Sequence, residues 1–432
     1  MPAAPGLIER LLIIGVIFIN QFGTPASWFT QNTGSASGPT SDFLLSYGSF
    51  AMIALLSLGL VGNGEAVVKI LQAEPLMIVY FFFLGLSPIW SDRFAESVAS
   101  AVNLLAMVGL AVILLVRFRP VEIFALITVA FVIGIVLDLV WIVAMGPLGR
   151  SAAAWDGLGT QKNSLGNHGL LGVVVFLMAA RLFRRFRVPY YLLAILSVVI
   201  LVGSESKTSL GAGLVAAGSF VVFLGFRARR TMAGAVAITL ILGCVLTGLL
   251  VTSNLDTVAG RLGRDTTFSG RTALWTEVIR GISLHPWLGY GYDGFWGGPL
   301  SASHRISAYP QFNWGPNHSH NAVFESALHV GIPLTIVFVI FSIRGLVRAT
   351  NHVRWVRGPI GLFPLVYLTI VTLVSITESG IFTQRFGTTL FVLAMIQAKV
   401  GVDEAKRSGV IRLDQERQAR MAAIWRSRFE AA

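Results

Sequence analysis

A helix needs roughly 20 apolar residues to cross the hydrocarbon core of a bilayer, and about 17 at the least. Runs near that length recur along the whole of this 432-residue chain, and they constrain its fold more than any motif does. Twelve candidates are found, at 7–22, 43–61, 75–90, 95–116, 121–145, 164–180, 188–202, 209–226, 232–252, 321–343, 359–376 and 381–398. The third and seventh are short for a span. Lipid offers no partner to an unpaired peptide group, and no barrel-like alternation is present, so these runs are expected to be helices. Only 12% of the residues are charged, half the fraction usual in a soluble enzyme. A lone cysteine, Cys244, excludes a disulfide scaffold and lies in an apolar run, where it packs as a small hydrophobe. The fold class expected is therefore all-α, a polytopic integral membrane protein with about twelve transmembrane helices.

The net charge of +12 would suggest a nucleic-acid partner in a soluble protein. Here the basic residues sit in short clusters between apolar runs, so they report topology instead, and no nucleic acid is expected. Alternate connections hold Lys69, the pair Arg117 and Arg119, the cluster Arg181 to Arg187, the cluster Arg227 to Arg230, and the set Arg344 to Arg357. With Arg10 and the basic tail these make 23 of the 33 lysines and arginines, which assigns both termini to the cytoplasm. The first run is expected to be a retained helix and not a cleaved signal. The chain then divides into helices one to nine over 1–252, an outer loop over 253–319, three more helices over 320–398, and a basic cytoplasmic tail over 399–432. Tail residues Met421, Trp425 and Phe429 fall at helical spacing, as in a helix lying on the inner leaflet. The only large extramembrane segment faces outward, and no glycine-rich nucleotide loop occurs anywhere.

Polar residues concentrate in that outer loop and its neighbours. Ser269 suits a helix N-cap, with Leu274, Trp275, Val278, Ile279 and Ile282 on one apolar face and Arg271 in the first turn. A cation at a helix N-terminus opposes the macrodipole, which makes sense if an anion such as a phosphate docks there. Pairing of Arg271 with Asp265 or Glu277 explains it equally well. The loop ends in Asn317-His318-Ser319-His320-Asn321, at the entrance of a span. His-x-His also suits a metal, but no third ligand stands at ligand spacing and no Asp-x-Asp occurs, so no metal and no cofactor is expected. Lys162-Asn163 and Ser206-Lys207-Thr208-Ser209 place two further lysines on the outer side, against the topological bias. Singly each reads as a snorkelling lysine, or for Lys207 a pair with Glu205; together with Arg271 they ask for an anionic partner. Asp138, Glu325, Glu378 and Arg385 interrupt the apolar runs, and intramembrane charges default to function or to mutual pairing, for instance Asp138 with Arg385.

These residues resemble the O-antigen ligase and Wzy-type polysaccharide polymerase superfamily, over most of the chain. The pattern at the loop's end, His then Asn, nine residues, Gly, is met by His320, Asn321 and Gly331, while Leu334 departs from its last position. Ser269-Gly270-Arg271 to Leu274-Trp275 looks like the loop-helix signature, and Lys162-Asn163-Ser164-Leu165-Gly166 like an element of exopolysaccharide polymerases. Lys207 stands where many relatives carry Arg. The resemblance implies metal-independent, inverting glycosyl transfer from an undecaprenyl-pyrophosphate-linked oligosaccharide at the periplasmic face of the bacterial inner membrane. It implies His320 as general base with His318 as assistant or rival, Asn321 orienting the ring, and Asn163 with Lys162, Lys207 and Arg271 around the pyrophosphate. Possible protein partners are a flippase and chain-length or export proteins. Within the family a polymerase of the succinoglycan or xanthan kind is expected, and the alternative is a ligase acting on lipid A core or on a protein. The loop's aromatics, Trp275 and Tyr292 among them, suit sugar stacking or interfacial anchoring. A transporter of the same lipid-linked sugar would also use many spans, but no internal repeat of transporter type is found.

Overall fold

The computed structural model describes residues 5–23, 48–145, 150–151, 154–158, 162–206, 208–214, 271–297, 301–307, 309, 312, 315–356, 358–376, 378–383 and 385–407. They form an all-helical bundle, apart from a two-residue strand pair, Arg150–Ser151 with Ala154–Trp155. Six helices are long and apolar enough to span a membrane: Phe94–Arg117, Pro120–Ala144, Lys162–Leu182, Arg184–Gly203, Ala322–Trp355 and Phe386–Glu404. Ser49–Leu60 and Gly64–Leu71, bent by 113° at their break, make a seventh if taken as one span. Leu7–Phe22, Pro75–Leu86 and Pro359–Val374 are shorter apolar helices packed with them. The expected count of twelve is thus not reached among the described residues. The run at 232–252 and the tail beyond 407 lie outside them, and the run at 209–226 is described only as far as 214.

Two kinds of contact hold the bundle. Side chains such as Phe131, Phe176, Phe341 and Phe391 are fully buried between helices, while Leu192, Ile195 and Val202 on the Arg187–Gly203 helix point outward, as lipid-facing residues do. Where two helices touch most closely, Gly169 lies against Leu201 N and Ser197 O, which a Cβ would approach to 2.7 and 2.8 Å. Charges close one end. Arg117 Nε and Nη2 each donate to Glu9 at 3.0 Å, and Arg10 pairs with Glu122 at 2.7 Å. Glu74, fully buried, is met by Arg344 and Arg348.

At the opposite end a broken helix organises the structure. Ala322–Trp355 is interrupted at Gly331, whose φ is 78°, with Pro333 two residues on. Proline lacks an N–H and crowds the carbonyl four residues back, so the ladder must open here. The freed groups are taken up by the segment that follows the Arg271–Leu284 helix. Ile332 N donates to Pro286 O at 2.7 Å, Tyr290 N to Leu328 O at 2.7 Å, and Gly291 N to His329 O at 3.1 Å. The turns at 286–291 therefore supply the backbone partners that the break removes, and this segment is locked to the bundle. A Cβ at Gly331 would collide with the Trp287 carbonyl.

Asp138 pairs structurally, with His168; the side chain of Arg385, named as one example of a partner, lies outside the described residues. Asp138 is fully buried and faces His168, whose Nδ1 lies 3.0 Å from Oδ2, while Leu158 N donates to Oδ1 at 3.1 Å. His168 Nε2 donates onward to Gln21 O at 2.8 Å, which joins three helices by their outer ends. The two residues sit thirty apart in sequence, so no local spacing announced the pair.

Gly331→Ala is expected to cost about 1–3 kcal/mol through backbone strain alone, before the collision is counted. Gly109→Ala, with nothing within 4 Å of its Cβ, is the control expected to be neutral or mildly stabilising. Thermal aggregation midpoints of the detergent-solubilised variants, followed by gel filtration, check both.

Candidate functional site

The site grows from the helix N-terminus at residue 322. Asn321 is its cap: Oδ1 accepts from Val323 N at 2.9 Å and Phe324 N at 3.1 Å. Its Nδ2 donates to Ile376 O at 3.1 Å, and Ala322 N donates to Ser375 O at 2.9 Å. Those two bonds fasten the end of the Pro359–Val374 helix beside the loop's end, and so bring Glu378 opposite the histidines.

Glu378 is where separate parts of the sequence meet. Its Oε2 lies 2.9 Å from His320 Nδ1 and 3.5 Å from His318 Nε2, and its Oε1 accepts from Asn163 Nδ2 at 3.1 Å. Asn163 Oδ1 in turn accepts from Ser206 Oγ at 3.2 Å, and Ser206 Oγ bonds Ser209 Oγ at 3.1 Å. The two histidine rings are 3.9 Å apart at 43°. The Lys162-Asn163 element, the Ser206 segment and the His-x-His pair are thereby joined through one carboxylate. Local periodicity could not reveal this, because Glu378 is 58 residues from His320 and 215 from Asn163.

His320 is held in an unusual backbone conformation, with φ at 54°. The left-handed region is costly for a residue with a Cβ, and it persists only where the surroundings impose it. Here the preceding peptide is gripped on both sides. Ser319 N donates to Glu325 Oε2 at 2.6 Å, and Ser319 O accepts from Trp275 Nε1 at 2.8 Å. Glu325 is itself fixed by Trp296 Nε1 at 2.8 Å and faces His329 Nε2 at 3.2 Å, in a pocket where it is 2% exposed. Nearby, burial lifts the Asp293 carboxyl above its ordinary range, against the opposing influence of His329 and a hydrogen bond from Ser100.

The structure describes some of the expected site residues and not others. Lys162 is the exposed first residue of the Lys162–Leu182 helix, next to Asn163. Arg271 opens the Arg271–Leu284 helix, and Trp275, one turn later, ties that helix to Ser319. The side chain of Arg271 and the whole of Lys207 lie outside the described residues. Asn321 does not orient the ring as expected; the ring nitrogen is met by Glu378, while Asn321 caps a helix and fastens residue 376. Glu325 and Glu378 carry more than sequence reasoning assigned to them. The sole sequence signal was a carboxylate in an otherwise apolar stretch. Glu378 also corrects the argument on metals, because His318, His320 and Glu378 form a three-ligand group whose ligand atoms lie within 4.8 Å of one another.

Comparison with known proteins gives sequence matches over part of the chain. Residues 192–339 match the sequence model of the family described as O-Antigen ligase, a segment that contains Lys207, Arg271, His318, His320 and Gly331. That segment, within a polytopic helical membrane protein, is thus similar to the O-Antigen ligase family. It is 25% identical over 286 residues to the exopolysaccharide production protein ExoQ of Rhizobium meliloti (strain 1021), covering 61% of this chain and 63% of that protein. It is 34% identical over 94 residues to the O-antigen ligase of Pseudomonas aeruginosa, covering 22% of this chain and 20% of that protein. The chain therefore spans less than two thirds of the length of either relative. The superfamily resemblance read from the motifs is borne out by these matches.

Trp275→Phe keeps an aromatic ring but removes the N–H that holds Ser319. Amide hydrogen exchange over 317–321 is expected to accelerate, with the spans unchanged. Exchange at the parent rate there would remove Trp275 from the account of the His320 conformation.

Proposed function

We propose that the chain is a polysaccharide polymerase that joins undecaprenyl-pyrophosphate-linked repeat units at the periplasmic face of the inner membrane, by inverting and metal-independent glycosyl transfer. The observation that carries this reading is the 2.9 Å contact between His320 Nδ1 and Glu378 Oε2. With the Nδ1 proton donated to the carboxylate, the ring's lone pair lies on Nε2 and the tautomer suits a base. The acceptor hydroxyl attacks the anomeric carbon of the donor on the face opposite the pyrophosphate. Its proton passes to His320 Nε2, the new glycosidic bond forms, and the bond to the pyrophosphate oxygen breaks. Undecaprenyl pyrophosphate leaves with the bonding electrons. Glu378 stabilises the imidazolium that results, much as a buried carboxylate does in other His–carboxylate pairs. Lys162, Lys207 and Arg271 are assigned to the developing charge on the leaving group, the part that a metal ion plays in many soluble enzymes.

Likeness to ExoQ, an exopolysaccharide production protein, and the Lys162-Asn163 element favour a polymerase. Asn163 contacts the carboxylate that meets His320, which supports a part for that element in the proposed chemistry. The likeness to an O-antigen ligase supports the second reading, transfer of a lipid-linked glycan to lipid A core or to a protein. Donor and leaving group are common to both, so the acceptor decides. Purified protein supplied with lipid-linked repeat unit alone should lengthen the glycan and release undecaprenyl pyrophosphate. Elongation only when a core acceptor is added would favour the ligase, and movement of the donor across vesicles without new linkages would favour transport.

General-base catalysis is worth about 10²–10⁴ in rate. His320→Ala is therefore expected to lower turnover by that order while donor binding persists, with His318→Ala milder. A dead His318→Ala beside an active His320→Ala would move the base to His318. Arg271→Ala should impair use of the donor, and Arg271→Lys should restore only part of it, since a point charge cannot grip two phosphate oxygens as a planar fork does. Turnover is expected to survive EDTA; a loss reversed by one added metal would overturn the metal-independent mechanism.

A further inference from the structure

The three groups that meet at His320 have a second chemistry open to them. We propose that His318, His320 and Glu378 form a binding site for zinc(II), and that zinc in this site shuts the enzyme off. Only the second clause rests on the reading of His320 as base.

Geometry comes first. His320 Nδ1 and His318 Nε2 converge on one carboxylate oxygen, Glu378 Oε2, at 2.9 and 3.5 Å. Zinc bonds of about 2.0–2.2 Å in a tetrahedron place neighbouring ligand atoms roughly 3.3–3.5 Å apart. The two observed separations bracket that edge, and all three ligand atoms lie within 4.8 Å of one another, so an approach of the two histidine rings would complete a three-ligand site. Its fourth position is left to water, as in open zinc sites. Two imidazoles and one carboxylate are a donor set for zinc and its transition-metal neighbours, whereas magnesium and calcium take oxygen ligands throughout.

The supporting contacts are those a metal site needs. His318 Nδ1 lies 2.6 Å from Asn317 Oδ1. With that oxygen as the acceptor, the ring hydrogen is on Nδ1 and the lone pair is on Nε2, facing the Glu378 carboxylate at 3.5 Å. A lone pair and an anionic oxygen at that distance repel unless positive charge stands on or between them. A bridging cation supplies it. The remaining oxygen of Glu378 is held by Asn163 Nδ2 at 3.1 Å, and the Ser319 peptide between the two histidines is fixed from both sides by Glu325 and Trp275. Outer contacts of this kind orient ligands before the ion arrives, and losing one typically costs 10- to 100-fold in affinity.

Inhibition follows from the single ring hydrogen of a neutral imidazole. When zinc takes the lone pair of His320 Nδ1, the ring's hydrogen must reside on Nε2. That nitrogen then has nothing with which to accept a proton from the acceptor hydroxyl. Zinc and turnover exclude each other, so removal of the ion leaves the enzyme active.

The test uses the full chain in detergent, stripped with EDTA and titrated with zinc chloride against a chromophoric zinc indicator. One zinc per chain is expected, uncontested by excess magnesium. His318→Ala and Glu378→Gln should each weaken binding by about tenfold or more, while His285→Ala binds as the parent does. His318→Cys, which restores a zinc ligand, should recover most of the affinity, and this separates a lost ligand from a lost fold. Failure of the parent to bind stoichiometric zinc, parent-like binding by His318→Ala and Glu378→Gln, or a His318→Cys chain that binds no better than His318→Ala would overturn the site. In the turnover assay, saturating zinc should abolish polymer formation and EDTA should restore it. Stoichiometric binding at these residues with undiminished turnover would overturn the inhibition, and with it the role of His320 as base, while leaving the zinc site in place.

Discussion

Peptide groups inside an apolar layer must find partners within the chain, because lipid supplies none. At Gly331 and Pro333 this protein breaks that ladder, and the consequences reach the site. Pro286, Tyr290 and Gly291 bond to the groups released by the break, so the segment preceding the helix is bound to it through the backbone. Trp296 from the same segment reaches Glu325, Glu325 holds the Ser319 peptide, and Ser319 sets the direction of His320. A helix break eleven residues from His320 is thus part of what fixes the geometry of that residue.

The second dependence is on Glu378. An ionisable residue among apolar helices is costly unless paired, and this one is surrounded by His320, His318 and Asn163. Those contacts bring three distant stretches of sequence to one carboxylate. The same oxygen serves two ends. Toward a protonated ring nitrogen it fixes a tautomer; toward a metal ion it would be a ligand. Which of the two prevails depends on what occupies the space between the three side chains, and the proposed function and the proposed inhibition are alternative states of one geometry.

The cation set differs in how it is held. Asn163 is fixed by Glu378, with Lys162 exposed beside it at the helix start. Arg271 begins a helix whose Trp275 bonds the Ser319 carbonyl. Lys162, next to a held residue, is positioned without being buried and so keeps its hydration. That suits the anionic lipid-linked donor of the proposed function.

Much was legible in the sequence because it is local. Apolar run length gave most of the described helices to within a few residues, since hydropathy is a sum over neighbours: 7–22 became Leu7–Phe22 and 121–145 became Pro120–Met145. The Asn/His cluster at 317–321 marked the site, because polar residues at a span entrance stand out against an apolar background. Pairing did not follow from sequence. Asp138 met His168, Asn321 capped a helix where a ring-orienting role had been expected, and Glu378 stood at the distance of a third ligand that the His-x-His spacing lacked. The sequence by itself determined that this chain is a helical membrane protein with an O-antigen-ligase-type signature at one span entrance. Only the tertiary structure decided which charges meet, because side chains thirty to more than two hundred residues apart become neighbours solely through how the helices pack.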